Sequence, residues 1–155
     1  VSSSVSFVEE ASEMIMDKCL VLDANILIRA VLGQKVRHVL FDFAGIVSFV
    51  TPQTCIDDAC KYLPSLLEER GFAEPQQSML LLQELVKIIQ VVDELLLEDY
   101  QAIAKKLLRQ RDVEDWPILA TALLFNCPIW TEDKDFFGVG VATWTTANIR
   151  MFLEG

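Results

Sequence analysis

The sequence predicts an α/β domain: a three-layer α/β/α sandwich around a central, mainly parallel sheet of four to five strands. Three observations carry this. Short apolar runs of strand length alternate along the chain with amphipathic stretches of helical period. The first run, Cys19-Leu20-Val21-Leu22, is continuously apolar, as expected of a strand covered on both faces, and it ends on Asp23. The chain has 155 residues, about one domain, and at 52% hydrophobic it can bury a core without staples. A single domain over residues 1–155 is expected.

Phe7, Ala11, Met14 and Ile15 recur at helical spacing, so a leading helix is expected over Ser6 to Met16. Strand one is Cys19 to Asp23. A helix over Ile26 to Leu32 ends at Gly33, and another follows over about Gln34 to Phe43. Ile46 to Val50 is strand two. Thr51-Pro52 then reads as a cap followed by proline at the first helical position. That helix turns Cys55, Ile56, Ala59, Cys60 and Leu63 inward, Pro64 should kink or restart it, and Gly71 stops it. Glu74-Pro75 opens a helix through Met79, Leu82 and Val86, and Ile88 to Val92 is strand three. Tyr100, Ile103, Ala104, Leu107 and Leu108 form one face of a helix whose later turns carry Lys105, Lys106, Arg109 and Arg111. Asp112 to Asp115 leads into a helix with Pro117 in its first turn, running to Phe125. Strand four is Ile129 to Thr131, an acidic turn follows, strand five is Val141 to Trp144, and Thr146 caps a last helix to Leu153.

Composition narrows the function classes. No apolar run reaches the ~18 residues of a membrane span. Val1 to Phe7 has no basic leader, so no signal peptide is expected. Cys19, Cys55, Cys60 and Cys127 form no C-x-x-C pair and read as reduced, buried thiols of a cytoplasmic protein. His38 reads as a surface residue, and one histidine without a cysteine pair gives no expectation of a zinc site. The net charge of −10 argues against tight nonspecific nucleic-acid binding. It does not exclude a nuclease, because bound cations invert local charge.

The carboxylates supply the candidate site. In a parallel sheet all strand C-termini share one edge, where open α/β sheets bind ligands. Asp23 ends strand one and Asp133 follows strand four. Asp58 lies six residues after Pro52, within roughly 10 Å of the same edge at about 1.5 Å per residue. The helix that begins at Asp115 must finish where strand four starts, so Asp115 also lies at the C-terminal edge. Such a cluster repels itself unless a cation sits in it, and an all-carboxylate set suits Mg²⁺ or Mn²⁺. The chemistry it supports is metal-assisted phosphodiester hydrolysis. Each residue also has a plainer role open to it. Asp23 can cap a helix, Asn25 can serve a cap or turn, Asp115 can complement a helix dipole, and Asp133 can belong to a turn. Asp58 can be a solvated helix acid, with Asp57 an equal candidate by type. The Lys105, Lys106, Arg109, Arg111 group reads either as a solvated face or as a nucleic-acid phosphate grip.

Four ordered motifs resemble the PIN-domain family of metal-dependent ribonucleases, which includes many bacterial toxins of toxin–antitoxin pairs. They are Leu22-Asp23-Ala24-Asn25-Ile26-Leu27, Asp58-Ala59-Cys60-Lys61-Tyr62-Leu63, Asp112-Val113-Glu114-Asp115 with the helix after it, and Ile129-Trp130-Thr131-Glu132-Asp133. The resemblance runs from about Lys18 to the end. It implies that Asp23, Asp58, Asp115 and Asp133 hold Mg²⁺ or Mn²⁺, supported by Asn25 and Thr131. It also implies an RNA substrate, an antitoxin partner and a homodimer. Two positions depart from the family pattern: Ala24 stands where a hydroxyl residue is usual, and Asp58 where a longer glutamate is usual.

The expected function is therefore a ribonuclease working through a carboxylate-bound metal. The alternative is a weak or inactive module on the same fold that binds nucleic acid or a protein. A phosphatase with Asp23 as nucleophile is disfavoured, because Asp23-Ala24-Asn25 is not a D-x-D and no Gly-Thr follows it.

Overall fold

A computed structural model of the chain describes residues 18–71, 74–109 and 111–155. The expected leading helix over Ser6 to Met16 lies outside these residues. Five strands, β1 (Lys18–Leu22), β2 (Val47–Pro52), β3 (Ile89–Val92), β4 (Ile129–Trp130) and β5 (Thr143–Trp144), form one sheet in the order β3-β2-β1-β4-β5. Every neighbouring pair is parallel, with Leu20 beside Phe49, Val21 beside Ile129 and Ile129 beside Thr143. The α/β class and the parallel sheet expected from the sequence are therefore present.

Among the described residues six helices lie between strands, α1 (Ala24–Leu32), α2 (Gln34–Phe43), α3 (Gln53–Glu69), α4 (Pro75–Val86), α5 (Glu98–Leu108) and α6 (Trp116–Phe125), and a seventh, α7 (Ile149–Glu154), follows β5. The chain steps outward from β1 to β2 to β3, then returns across the sheet to β4. Right-handed crossovers put the helices of the outward steps on one face and those of the return on the other. Helix α3 accordingly packs on β2 and β3, while α6 packs on β1, β2 and β4 with α5 behind it. The strand order reverses between β1 and β4, which is where this class of sheet opens a crevice. Helix α6 shows how burial overrides amphipathicity: Trp116 through Ala122 are all buried, so its sequence is apolar all round.

Several local expectations fail for physical reasons. Thr51 and Pro52 end β2 instead of opening a helix, and α3 begins at Gln53. The Thr51 hydroxyl is spent across the sheet on the Leu22 carbonyl, 2.7 Å away. Pro64 does not break α3. The helix does not restart there: Leu63 and Leu67 are fully buried on either side, and the core contact keeps the helix continuous at the cost of one backbone bond. Helix α5 stops at Leu108, so Arg109 and Arg111 lie beyond it, and Arg109 turns the chain at φ 57°. Thr146 does not cap α7; Asn148 holds that position, and the Thr146 hydroxyl accepts a bond from the Trp130 indole N–H at 3.1 Å. Of the four cysteines only Cys55 and Cys127 are buried; Cys60 is exposed, and the half-buried Cys19 hydrogen-bonds Cys127. Ile103 is exposed too, while His38 is on the surface as expected.

Candidate active site

The site grows from the end of β1. Leu20, Val21 and Leu22 are completely buried, and Asp23 follows them at only 4% exposure. Its extended backbone makes it the N-cap of α1, and its carboxylate accepts the Ile26 N–H at 2.9 Å. The cap alternative is thus realised, but it occupies one oxygen. The other accepts a short hydrogen bond from the Thr131 hydroxyl. Thr131, fully buried just past β4, also accepts the Asp133 N–H at 2.9 Å. One hydroxyl therefore couples the carboxylate of β1 to the backbone of the loop after β4, across the point where the strand order reverses. Burial is the main force on Asp23 and raises its pKa to about 6. The Thr131 and Ile26 hydrogen bonds oppose that rise, while Asp133 and Glu132 add to it.

Asp133 sits at the start of a short 3₁₀ turn, Lys134–Phe136, and accepts the Asp135 N–H at 2.9 Å. Its turn role is thus real as well. Asp115 closes a second 3₁₀ turn, Val113–Asp115, directly before α6, with Pro117 in that helix's first turn as the sequence predicts. It is half-buried, and its pKa is raised to about 7, first by burial and then by Asp112, Asp133, Asp23 and Asp135. Asp115 therefore feels the charge of both Asp23 and Asp133, from three separate segments of chain.

Asp58 differs. It lies on the second turn of α3 and is exposed. Its link to the others is Cys55, one turn earlier and 2% exposed. Burial pushes the Cys55 thiol far above its ordinary range, and the charges of Asp23, Asp58 and Asp115 push it further, against a hydrogen bond with Thr51. The buried Cys55 is thus within electrostatic reach of all three acids. Asn25, on the first turn of α1, is exposed. Neither Thr51 nor Cys55 is singled out by sequence; the only signal was Cys55 three residues before Asp58, on one helical face.

The loop after β4 is held from both sides. The Arg111 guanidinium donates to the backbone carbonyls of Asp135 and Phe137, at 2.8 and 2.6 Å. Glu132 accepts the Thr146 N–H at 2.6 Å and lies 3.8 Å from the Arg29 guanidinium. Lys105, Lys106 and Arg109 are exposed around the end of α5.

The donors available to a cation are carboxylate oxygens, a hard set suited to Mg²⁺ or Mn²⁺ and unsuited to zinc. Among the described residues no three His, Cys, Asp or Glu side chains stand close enough together to share an ion. Mg²⁺ does not require three: it commonly takes one or two carboxylates and keeps several waters. The donor set fits a hydrated hard cation on that basis.

No curated protein matches the chain. Solved structures do, at 13–20% identity, which speaks to the fold. A chain of VapBC2 from Rickettsia felis bound to a promoter DNA fragment is 13% identical with a TM-score of 0.58, covering 82% of this chain and 98% of that one. A chain of a toxin–antitoxin complex from Klebsiella pneumoniae is 19% identical with a TM-score of 0.52, covering 82% and 97%. A chain of FitAB bound to an IR36 DNA fragment is 20% identical with a TM-score of 0.54, covering 82% and 94%. The family model described as PIN domain matches residues 21–154, nearly the whole of the described sheet with both its helical layers, and the chain belongs to the PIN domain family.

Proposed function

We propose that this chain is a metal-dependent ribonuclease that hydrolyses RNA phosphodiester bonds, acting as the toxin of a toxin–antitoxin pair. The observation that carries the reading is the Thr131 hydroxyl, shared between the Asp23 carboxylate and the Asp133 N–H where the strand order reverses. It holds two acids from distant segments in a fixed relation. A buried carboxylate in a cluster of acids is costly unless a cation compensates it. Family membership and the fold shared with toxin–antitoxin chains support the same reading.

When bound, Mg²⁺ or Mn²⁺ supplies a positive charge for the phosphate and lowers the pKa of a water. Asp23 and Asp133, tied together through Thr131, would hold the ion directly, with Asp115 and the exposed Asp58 meeting it through its bound waters. Thr131 fixes the Asp23 carboxylate so that its remaining lone pairs face the edge. Asp115, half-buried at the head of α6 beside the other acids, takes the proton of the attacking water. Asn25 orients substrate beside Asp23. Lys105, Lys106, Arg109 and Arg111 line the approach of the RNA backbone, with Arg111 also securing the Asp135 loop. An antitoxin and a second copy of the chain are the protein partners, and the compartment is the cytoplasm.

RNA cleavage with Mn²⁺ or Mg²⁺ tests the reading, comparing wild type with Asp23→Asn and Asp115→Asn. Cleavage by the wild type and its loss in both variants is expected. No wild-type cleavage with either metal, at high protein concentration, sinks it. The exposure of Asp58, a methylene short of the family's glutamate, favours one rival: a module on the same fold that binds RNA or a protein without cutting. RNA binding without cleavage identifies that rival.

A further inference from the structure

We infer that a cleft on the α1–α2 side of the sheet is a second binding site for the phosphodiester backbone, holding single-stranded RNA on the far side of the carboxylates from Arg111. The inference rests on the ribonuclease reading above and extends it to residues no motif marks. The cleft, of about 500 Å³, is lined by Arg29, Gly33, Lys35, Arg70, Glu132 and Thr146 among others. Its three cations come from three places: α1, the start of α2 and the end of α3. Acids outnumber bases in this chain by 23 to 13, so a cleft lined by three cations and one acid runs against the overall charge, as the Lys105–Arg111 group does. Lys87 pairs with Glu84, and Arg150 with Asp42 and Glu154. Among the described residues, Lys35 and Arg70 have no ion-pair partner.

The single acid in the cleft is neutralised locally, since Glu132 faces the Arg29 guanidinium and accepts the Thr146 N–H. Glu132 also makes the cleft continuous with the candidate site, because Asp133 is the next residue. The loop that carries Asp133 is thus touched by Arg29 from one side and by Arg111 from the other. A strand whose cut phosphate lies at the carboxylates must pass beyond them in both directions. The cleft cations and Arg111, which reach the loop through Glu132 and through Asp135 and Phe137, are the groups available to its flanking phosphates. The acidic net charge is then no obstacle, because attraction is needed only along this path.

The test is fluorescence anisotropy of a short fluorescein-labelled single-stranded oligoribonucleotide, with EDTA present to prevent cleavage and salt varied. Each phosphate-neutralising cation contributes about 0.7 to the slope of log affinity against log salt for single strands. R29Q/K35Q/R70Q is expected to weaken binding and lower the slope by about 2. K35Q/R70Q, which leaves the Arg29–Glu132 contact in place, should lower it by about 1.4. K61Q/K87Q/R150Q removes equal charge elsewhere and should leave the slope unchanged. A wild-type slope in the cleft variants, an equal fall in the distant triple, or binding of polyglutamate but not RNA overturns the cleft. Loss of slope in a protein that cuts no RNA upholds the cleft and fails the nuclease. Cleavage by R29Q/K35Q/R70Q with unchanged KM does the reverse.

Discussion

The crevice between β1 and β4 and the rim of α3 both carry acids of the proposed site, but they are built differently. Asp23 is buried, with one oxygen fixed by the Ile26 backbone N–H and the other by the Thr131 hydroxyl. Asp58 is exposed on a helix face, and its charge is felt by the buried Cys55, as are those of Asp23 and Asp115. A carboxylate placed by strand ends is preorganised and pays for that in burial. One placed by a helix surface is solvated and gains position only when a ligand draws it in.

Breaking the crevice should have the largest effect. Asp23→Asn should lower metal-dependent cleavage by more than the ~10–100-fold that loss of an outer-shell partner costs, measured as kcat/KM on one RNA. Thr131→Val removes the shared hydroxyl and leaves Asp23 and the Asp133 N–H each short of a partner. It should cost about 10–100-fold in metal affinity, read by titration calorimetry, and about 1–3 kcal/mol of stability in urea.

The protons of the crevice offer a third break. Asp23 and Asp115 have pKa values raised to about 6 and about 7, above the 3.8 of an ordinary aspartate. Between those limits the metal-free native state binds more protons than the unfolded chain, so its stability falls as pH rises. The contribution is fully present below about pH 4 and is lost by about pH 8. For Asp23 it amounts to about 2–3 kcal/mol. Urea midpoints of the metal-free protein should therefore drop from pH 5 to pH 8, and Mg²⁺ or Mn²⁺ should restore them at pH 8. A midpoint that rises over that range contradicts the burial argument.

The rim should be the mildest place to intervene. Asp58→Ala should reduce cleavage about tenfold or less without changing the pH dependence of stability. Asp58→Glu should match or exceed wild type, because the added methylene lengthens its reach. A larger loss in Asp58→Ala than in Thr131→Val would reverse the ranking of the two regions.

Asp23, Asp115 and Asp133 were legible in the sequence because strand ends and the return direction of α6 fix an edge whatever the side chains do. Asn25 was open to a site role beside a cap or turn, and Thr131 came only from the family resemblance, since nothing in a lone threonine announces which carboxylate it serves. Thr51 was misread because cap and cross-strand hydrogen bond look alike until the Leu22 carbonyl is known to lie beside it. That α3 does not restart at Pro64 was not legible, because a helix break depends on whether burial on both sides outweighs one lost bond. The exposure of Asp58 and Cys60 depends on how far α3 rotates over the sheet, a tertiary quantity that spacing alone leaves open.

The order β3-β2-β1-β4-β5 also has a meaning in time. During synthesis β1, β2 and β3 can pair as soon as they emerge, yet β1 keeps one edge open until residues 129–144 follow. An open parallel edge invites pairing with another chain, so the interval is a hazard for nascent copies made close together. On the proposed ribonuclease reading it is also a safeguard. Thr131 and Asp133 arrive with the same segment that closes the edge, so a half-made chain on the ribosome, surrounded by RNA, lacks the residues that complete the acidic edge.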